Sequence, residues 1–421
     1  MFWKWTKRIG LGLVGTATVL ALSGALYQGI SDKIDAKKYP PIGKLVDVGG
    51  YNIHLHTTGS GGPSVILDAG MGCNALGWSL VQPKVAEFTQ VTAIDRAGNG
   101  WSDESPLERT SENIVMESRA ALKKANILGP YILVGHSFGG INAQLWASLY
   151  PDEVLGVVLV DSSHEKQFET MPTPQMNHTM MMLVSRFGIA RLVTHLPRYK
   201  EGIAVFSEQT QQQLLSQLRT TKFMRTVLGE GAQFEKSCKQ LKAVGRSPWN
   251  KPLIVISAAK VPPAEGSGYS QEQIDAFYVH FKELQKDLTT KSTQGKQVIA
   301  EESDHMITLN QPQIIVDSIK EMVESSDKNV KRICGWESVR HIPSESTFCR
   351  AFAEFADIGL AHQAHETLIK KTLSEEVILH NSRDSTPIKA REKVLAKVKA
   401  EKQGMSIKMG RPKKGQEHVD P

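Results

Sequence analysis

The stretch Gly135-His136-Ser137-Phe138-Gly139-Gly140 sets a serine between glycines in a G-x-S-x-G pattern. That spacing places a hydroxyl on a sharp turn from a strand into a helix. A serine hydroxyl is a weak nucleophile, and it attacks a carbonyl only with a base within hydrogen-bond reach that is itself held by an acid. Of 13 histidines, His305 in Glu302-Ser303-Asp304-His305-Met306 is the best placed base, because it follows the last strand-like run and precedes the last helical one. Two acids compete for the third place. Asp161 directly follows the apolar run Val157-Val158-Leu159-Val160 and is favoured; Glu265 is the first acid after Ser257-Ala258-Ala259-Lys260, the commoner position for this group. The oxyanion of acyl transfer needs aimed backbone N–H donors, and the sequence offers Phe138, next to the serine, and Met71 in the turn Ala69-Gly70-Met71-Gly72. His136 is expected to pack beside the serine, and Asp95 and Asp304 are expected to be structural.

Such groups meet only if a sheet brings their loops to one edge. Lys44 to Val48 and Tyr51 to Thr57 read as a hairpin around Gly49-Gly50, and Ser64 to Asp68, Gln90 to Asp95, Tyr131 to Gly135 and Leu155 to Asp161 read as buried strands. Pro252 to Ala258 and Gln297 to Glu301 supply two more. Ser111 to Ala125, Phe138 to Tyr150 and Pro312 to Glu324 repeat apolar residues at three and four, as amphipathic helices do. The alternation predicts an α/β fold, a mostly parallel sheet flanked by helices. Residues 163–250 read as a helical lid over the site, whose Met171, Met176, Met180, Met181, Met182 and Phe187 make it apolar and suggest an acyl or aromatic group in the substrate, although such a methionine cluster is more often plain packing.

The 421 residues exceed what this core needs, so the ends are foreign to it. The three expected regions are residues 1–40, 41–325 and 326–421. From Ile9 to Ile30 the chain carries no charge, long enough to cross about 30 Å of hydrocarbon. Lys4, Lys7 and Arg8 precede this run and Trp3, Trp5 and Tyr27 flank it, which predicts a single-pass anchor with the remainder of the chain outside the cytoplasm. A cleaved signal peptide is the rival, with Ser23 and Ala25 at its cleavage site. The net charge of +6 gathers at the two ends. Cys73, Cys238, Cys334 and Cys349 form no C-x-x-C spacing and read as free thiols, and the pattern calls for no metal and no cofactor.

Taken together, Leu67-Asp68-Ala69-Gly70, Asp95-Arg96-Ala97-Gly98-Asn99-Gly100-Trp101-Ser102-Asp103, the serine motif, Val160-Asp161-Ser162-Ser163-His164 and Asp304-His305 resemble bacterial membrane-anchored α/β-fold hydrolases over about Lys4 to Glu324. The resemblance implies the α/β-hydrolase fold and cleavage of a carboxylic ester, thioester or amide of a small acyl substrate through an acyl-enzyme. Haloalkane dehalogenases and epoxide hydrolases share the fold with an aspartate nucleophile, and Ser137 argues against both. Cofactor-free haloperoxidases keep the serine and stand as the alternative. Further on, Arg332-Ile333-Cys334-Gly335-Trp336, Pro343 to Phe352 and Ser382-Arg383-Asp384-Ser385-Thr386 resemble the amino-terminal part of an insertion-sequence transposase of the DDE type. Asp384 would be the first of three metal-binding acids, and the chain ends before the other two, so no transposase activity is expected. The basic run from Lys389 to Lys414 reads as a solvated tail rather than a nucleic-acid contact, DNA binding being the alternative. The join is read as a gene fusion.

Overall fold

The structure, a computed structural model, describes residues 2–167, 169, 177–194, 196, 201–245, 249–264 and 269–333. Glu265, Met171, Met176 and the transposase-like stretch from Cys334 onward, with Asp384 and the basic run, lie outside the described residues. The chain divides into two compact units, Met1–Val330 and Lys331–Pro421. All described elements belong to the first, apart from the last three residues of the final helix.

Among the described residues eight strands build one sheet: β1 (Lys44–Asp47), β2 (Asn52–Thr58), β3 (Val65–Asp68), β4 (Val91–Asp95), β5 (Tyr131–His136), β6 (Val154–Val160), β7 (Trp249–Ala258) and β8 (Ser292–Ala300). Their order is β1-β2-β4-β3-β5-β6-β7-β8. β1 and β2 form an antiparallel hairpin, β2 runs antiparallel to β4, and every later pairing is parallel. The central strands are Val/Ile/Leu runs because both of their faces are covered and alternate residues enter opposite layers. Val65, Leu67, Ile132, Val134, Val158 and Val160 pack with Trp78, Ile315 and Ile319 on one side. Ile66, Leu133, Val157 and Leu159 pack with Val115, Leu122 and Trp146 on the other. Each such side chain contributes about 1.5–3 kcal/mol by leaving water. β8 starts five residues before the Gln297 expected from sequence, because its first half is a polar, largely exposed stretch that carries no apolar signal.

The described helices are α1 (Phe2–Lys38), α2 (Gln82–Val85), α3 (Ser111–Lys124), α4 (Phe138–Leu149), α5 (His178–Arg186), α6 (Ile189–Val193), α7 (Glu208–Leu218), α8 (Thr221–Ala232), α9 (Phe234–Ala243), α10 (Gln271–Thr289), α11 (Ile307–Asn310) and α12 (Pro312–Ile333). The sequence reading did not single out α10, although a capping box at Ser270 and Gln273 starts it and Ile274, Tyr278, Phe281, Leu284 and Leu288 form its buried stripe. α12 runs nine residues past Glu324, since Ser325 to Ile333 holds no glycine or proline to stop it. α5 to α9 occupy the insertion between β6 and β7, where a lid was expected. Among the described residues α1 is the one helix long and apolar enough to cross a membrane, with mean hydropathy 1.9 and none of its apolar window buried. A signal sequence has the same length and composition.

Candidate active site

Ser137 sits between β5 and α4 with φ 51° and ψ −119°. This region is costly for a residue with a Cβ. The surroundings hold it there: the Ser137 amide donates to the Val160 carbonyl at 3.1 Å, and the Ser163 amide donates to the Ser137 carbonyl at 2.9 Å. The flanking glycines are required by contact. A Cβ on Gly135 would strike the Gly139 carbonyl, and one on Gly139 would strike the Asp68 carbonyl.

Two further loops end at the same edge. Asp161 follows β6 with φ 39°, is 1% exposed, and accepts through Oδ1 from the Ala258 amide at 3.0 Å. Its Oδ2 accepts from His305 Nδ1 at 2.6 Å. Of the two acids offered by the sequence, the described structure thus brings Asp161 to the histidine. With Nδ1 engaged, His305 Nε2 is left for another partner, and the side chain is 32% exposed. Ser137 Oγ makes no hydrogen bond to His305 among the described residues; such bonds are often long before substrate binds. His136, the residue before the serine, packs against His305 with ring centroids 4.9 Å apart and planes tilted by 38°, and donates from Nε2 to the His305 carbonyl at 2.9 Å. Burial, then the nearby His305, pushes the His136 imidazole down to about 4, so it is neutral at pH 7 and acts as a spacer. Asp304 accepts from the Met306 amide and from Asn310 Nδ2, so it shapes the loop instead of orienting the ring.

The turn from Ala69 to Gly72 lies against the elbow. A Cβ on Gly70 would stand 3.2 Å from Ser137 Cβ and 3.1 Å from His136 Nδ1. Neither the Met71 nor the Phe138 amide has an acceptor among the described residues. Arg96 fixes this turn, a role the sequence did not reveal. Its buried guanidinium donates to Asp68 Oδ1, to the Ala69 carbonyl and, at 2.9 Å, to the Gly70 carbonyl, while Nε donates at 2.8 Å to Glu230 of α8. Burial works against the guanidinium charge, but Glu230 and Asp68 outweigh it and keep Arg96 protonated. Glu230 also accepts from Asn99, and Lys222 donates to the Gly100 and Ser102 carbonyls, so α8 is pinned over the Asp95-to-Asp103 turn.

Between lid and sheet edge lies a cavity of about 150 Å³. Ala69, Gly72, Trp78, His136, Ile203, Phe206, Leu214, Leu218, Met306 and Leu309 line it, so it abuts the neighbours of Ser137 and His305 without including either. A cavity of that size admits a benzene-sized group. Of the described lid residues Met180, Met181, Met182 and Phe187, none lines this cavity, and Met180 is exposed. Cys73 also lines the cavity, with its thiol pushed up by burial. No group of three or more His, Cys, Asp or Glu among the described residues is arranged to hold a metal.

The comparisons agree with this geometry at the level of the fold. A family model described as the alpha/beta hydrolase fold matches residues 63–286. YbdG of Bacillus subtilis, an uncharacterized protein, is 28% identical over 170 residues, 40% of this chain and about half (52%) of its own length. The 2-hydroxymuconate semialdehyde hydrolase of a Pseudomonas strain is 30% identical over 126 residues, 30% of this chain and 44% of that protein. Among solved structures, a Pseudomonas aeruginosa protein described as an epoxide hydrolase superposes with a TM-score of 0.53 at 16% identity, covering 68% of this chain and 96% of that one, a likeness of fold alone. Strand order, the strained serine turn and a family match over more than half its length make this chain a member of the α/β hydrolase fold family.

Proposed function

We propose that this hydrolase is a serine enzyme that cleaves a carboxylic ester, or a thioester or amide, through an acyl-enzyme. Ser137 attacks the carbonyl carbon, His305 Nε2 takes the hydroxyl proton and returns it to the leaving group, and Asp161 holds the ring and balances its charge. The Met71 and Phe138 amides receive the oxyanion. Water then attacks the acyl group with His305 again as base. The observation that carries this reading is the 2.6 Å bond from His305 Nδ1 to Asp161, beside a serine held at positive φ on the same sheet edge. The aspartate nucleophile of epoxide hydrolases has no counterpart at position 137. The apolar cavity supports a short acyl or phenyl group as the part of the substrate bound there.

α1 serves as an uncleaved membrane anchor in this proposal, with the hydrolase unit outside the cytoplasm. The test is labelling of the full chain by a fluorophosphonate probe, with hydrolysis of p-nitrophenyl acetate, butyrate and benzoate measured alongside 2-hydroxymuconate semialdehyde. Labelling and ester cleavage that disappear in Ser137→Ala and His305→Ala support the reading. Cleavage of the semialdehyde alone would move the substrate to that of the Pseudomonas relative, and no labelling at all would sink the serine mechanism.

A further inference from the structure

The lower half of α1 is packed into the lid. The buried Arg191 of α6 donates from Nε to Gln28 at 3.0 Å, from Nη1 to Asp35 at 2.6 Å and from Nη2 to Asp32 at 2.5 Å. Gln28 also donates to the Arg219 carbonyl at 2.8 Å. Gly24 lies so close to the Phe187 carbonyl that no Cβ would fit between them. These contacts fix the level of the lid relative to the apolar run. These contacts straddle the end of the uncharged run at Ile30: Gly24 is six residues before it, about 9 Å along a helix axis, and Asp35 is five residues beyond it, about 8 Å. Elements that lie in a membrane interface sink about 5–10 Å below its surface.

The outer face of α5 and α6 suits that depth. Met180 and Leu183 on α5, Ile189 and Leu192 on α6, and Leu196 just beyond are 57%, 42%, 43%, 64% and 50% exposed. Residues 177–194 contain no aspartate or glutamate, and the exposed Arg186 is a cation that anionic headgroups attract. An apolar, acid-free surface that continues directly from a membrane-length helix is matched by lipid.

We propose that α5 and α6 are a membrane-docking surface, lying in the headgroup–acyl boundary of the bilayer at the foot of α1. The lid is thus held by lipid on one side and by the Asp95-to-Asp103 turn on the other. This inference rests on the reading of α1 as an anchor, and the test separates the two. The full chain is reconstituted in phosphatidylethanolamine/phosphatidylglycerol vesicles carrying a trace of lipid with a diazirine in its acyl chain, illuminated, digested and mapped by mass spectrometry. The expected result is adducts on α1 and on the 178–196 peptides but none around Leu128, an apolar residue 64% exposed at the opposite, amino edge of the sheet. The double variant Ile189→Glu/Leu192→Glu, both at exposed positions, is expected to lose most of the lid adducts while keeping those on α1 and its melting temperature. Adducts confined to α1, equal labelling around Leu128, or lid labelling unchanged in the double variant would overturn the docking surface and leave the anchor intact. Adducts on neither α1 nor the lid would overturn both.

Discussion

Among the described residues, two histidine–aspartate pairs joined through Nδ1 share nearly the same geometry and differ in their surroundings. His305 Nδ1 meets Asp161 Oδ2 at 2.6 Å, and His54 Nδ1 meets Asp95 Oδ2 at 2.8 Å. The second pair is wholly buried, with 0% exposure on both sides. It is a cross-strand pair, since His54 of β2 and Asp95 of β4 are register partners. Asp95 also accepts from the Ala75 and Trp101 amides, and the Trp101 ring lies 4.9 Å from His54. His54 Nε2 is sealed in without a hydrogen-bond partner among the described residues, while His305 is one-third exposed beside the serine turn. The pair itself therefore does not define a catalytic site. What separates the two is whether the second ring nitrogen opens onto space where a substrate can stand.

The strongest way to break this division is to remove the same charge from each pair. Asp161→Asn is expected to lower kcat about ten-thousand-fold, because the wrong histidine tautomer is stabilised, with little change in melting temperature. Asp95→Asn is expected to do the reverse. It leaves a buried histidine and two amides poorly paired, costing roughly 3–5 kcal/mol in urea unfolding, with kcat per folded molecule nearly unchanged. Exchange of these two outcomes would show that the sealed pair is the functional one.

Acid sharpens the comparison among the buried rings. His164 has 0% exposure and bonds Asp287 at 3.0 Å; burial first of all pushes it down to about 4, as it does His136. For a histidine depressed when folded, the unfolded chain takes up the proton first. Stability is full above the unfolded value of about 6.5 and is lost as pH falls toward 4, by roughly 3 kcal/mol per ring. His164→Asn is expected to lose about half of that pH dependence in unfolding curves between pH 7 and 4. A variant whose dependence matches the parent would show that His164 takes up its proton at the same pH in the folded chain as in the unfolded one.

Much of the scaffold was legible in the sequence because its signals are local. The Val/Ile/Leu runs of β3 to β6 and the glycines around Ser137 each specify their own conformation within a few residues. Asp161 was nameable as a candidate because it directly ends an apolar strand. Nothing local marks Glu230 as the partner of Arg96, 134 residues away, or Asp32 and Asp35 as partners of Arg191, about 160 residues away. Both links depend on how the lid folds back over the sheet edge, and lid helices show only which of their faces is apolar. The lid methionines carry the same ambiguity: composition identifies an apolar surface but not whether it faces the cavity or the outside.

The smallest expected effect tests whether the sealed pair speaks to the site at all. Trp101 stands over His54 and donates from Nε1 to the Tyr39 carbonyl at 2.9 Å, joining the segment after α1 to the Asp95-to-Asp103 turn. Trp101→Phe keeps a ring over His54 and removes one hydrogen bond at a partly buried position. A bond of this kind contributes about 0.5–1.5 kcal/mol, so the melting temperature should fall by a few degrees at most. Hydrolysis of a soluble ester should keep its pH profile, because no group near His305 changes its charge or contacts. A displaced pH profile would mean that the His54–Asp95 pair is coupled to the reacting groups through the turn that Arg96 shares with the Met71 amide. The division between an open and a sealed pair would then have to be redrawn as one network.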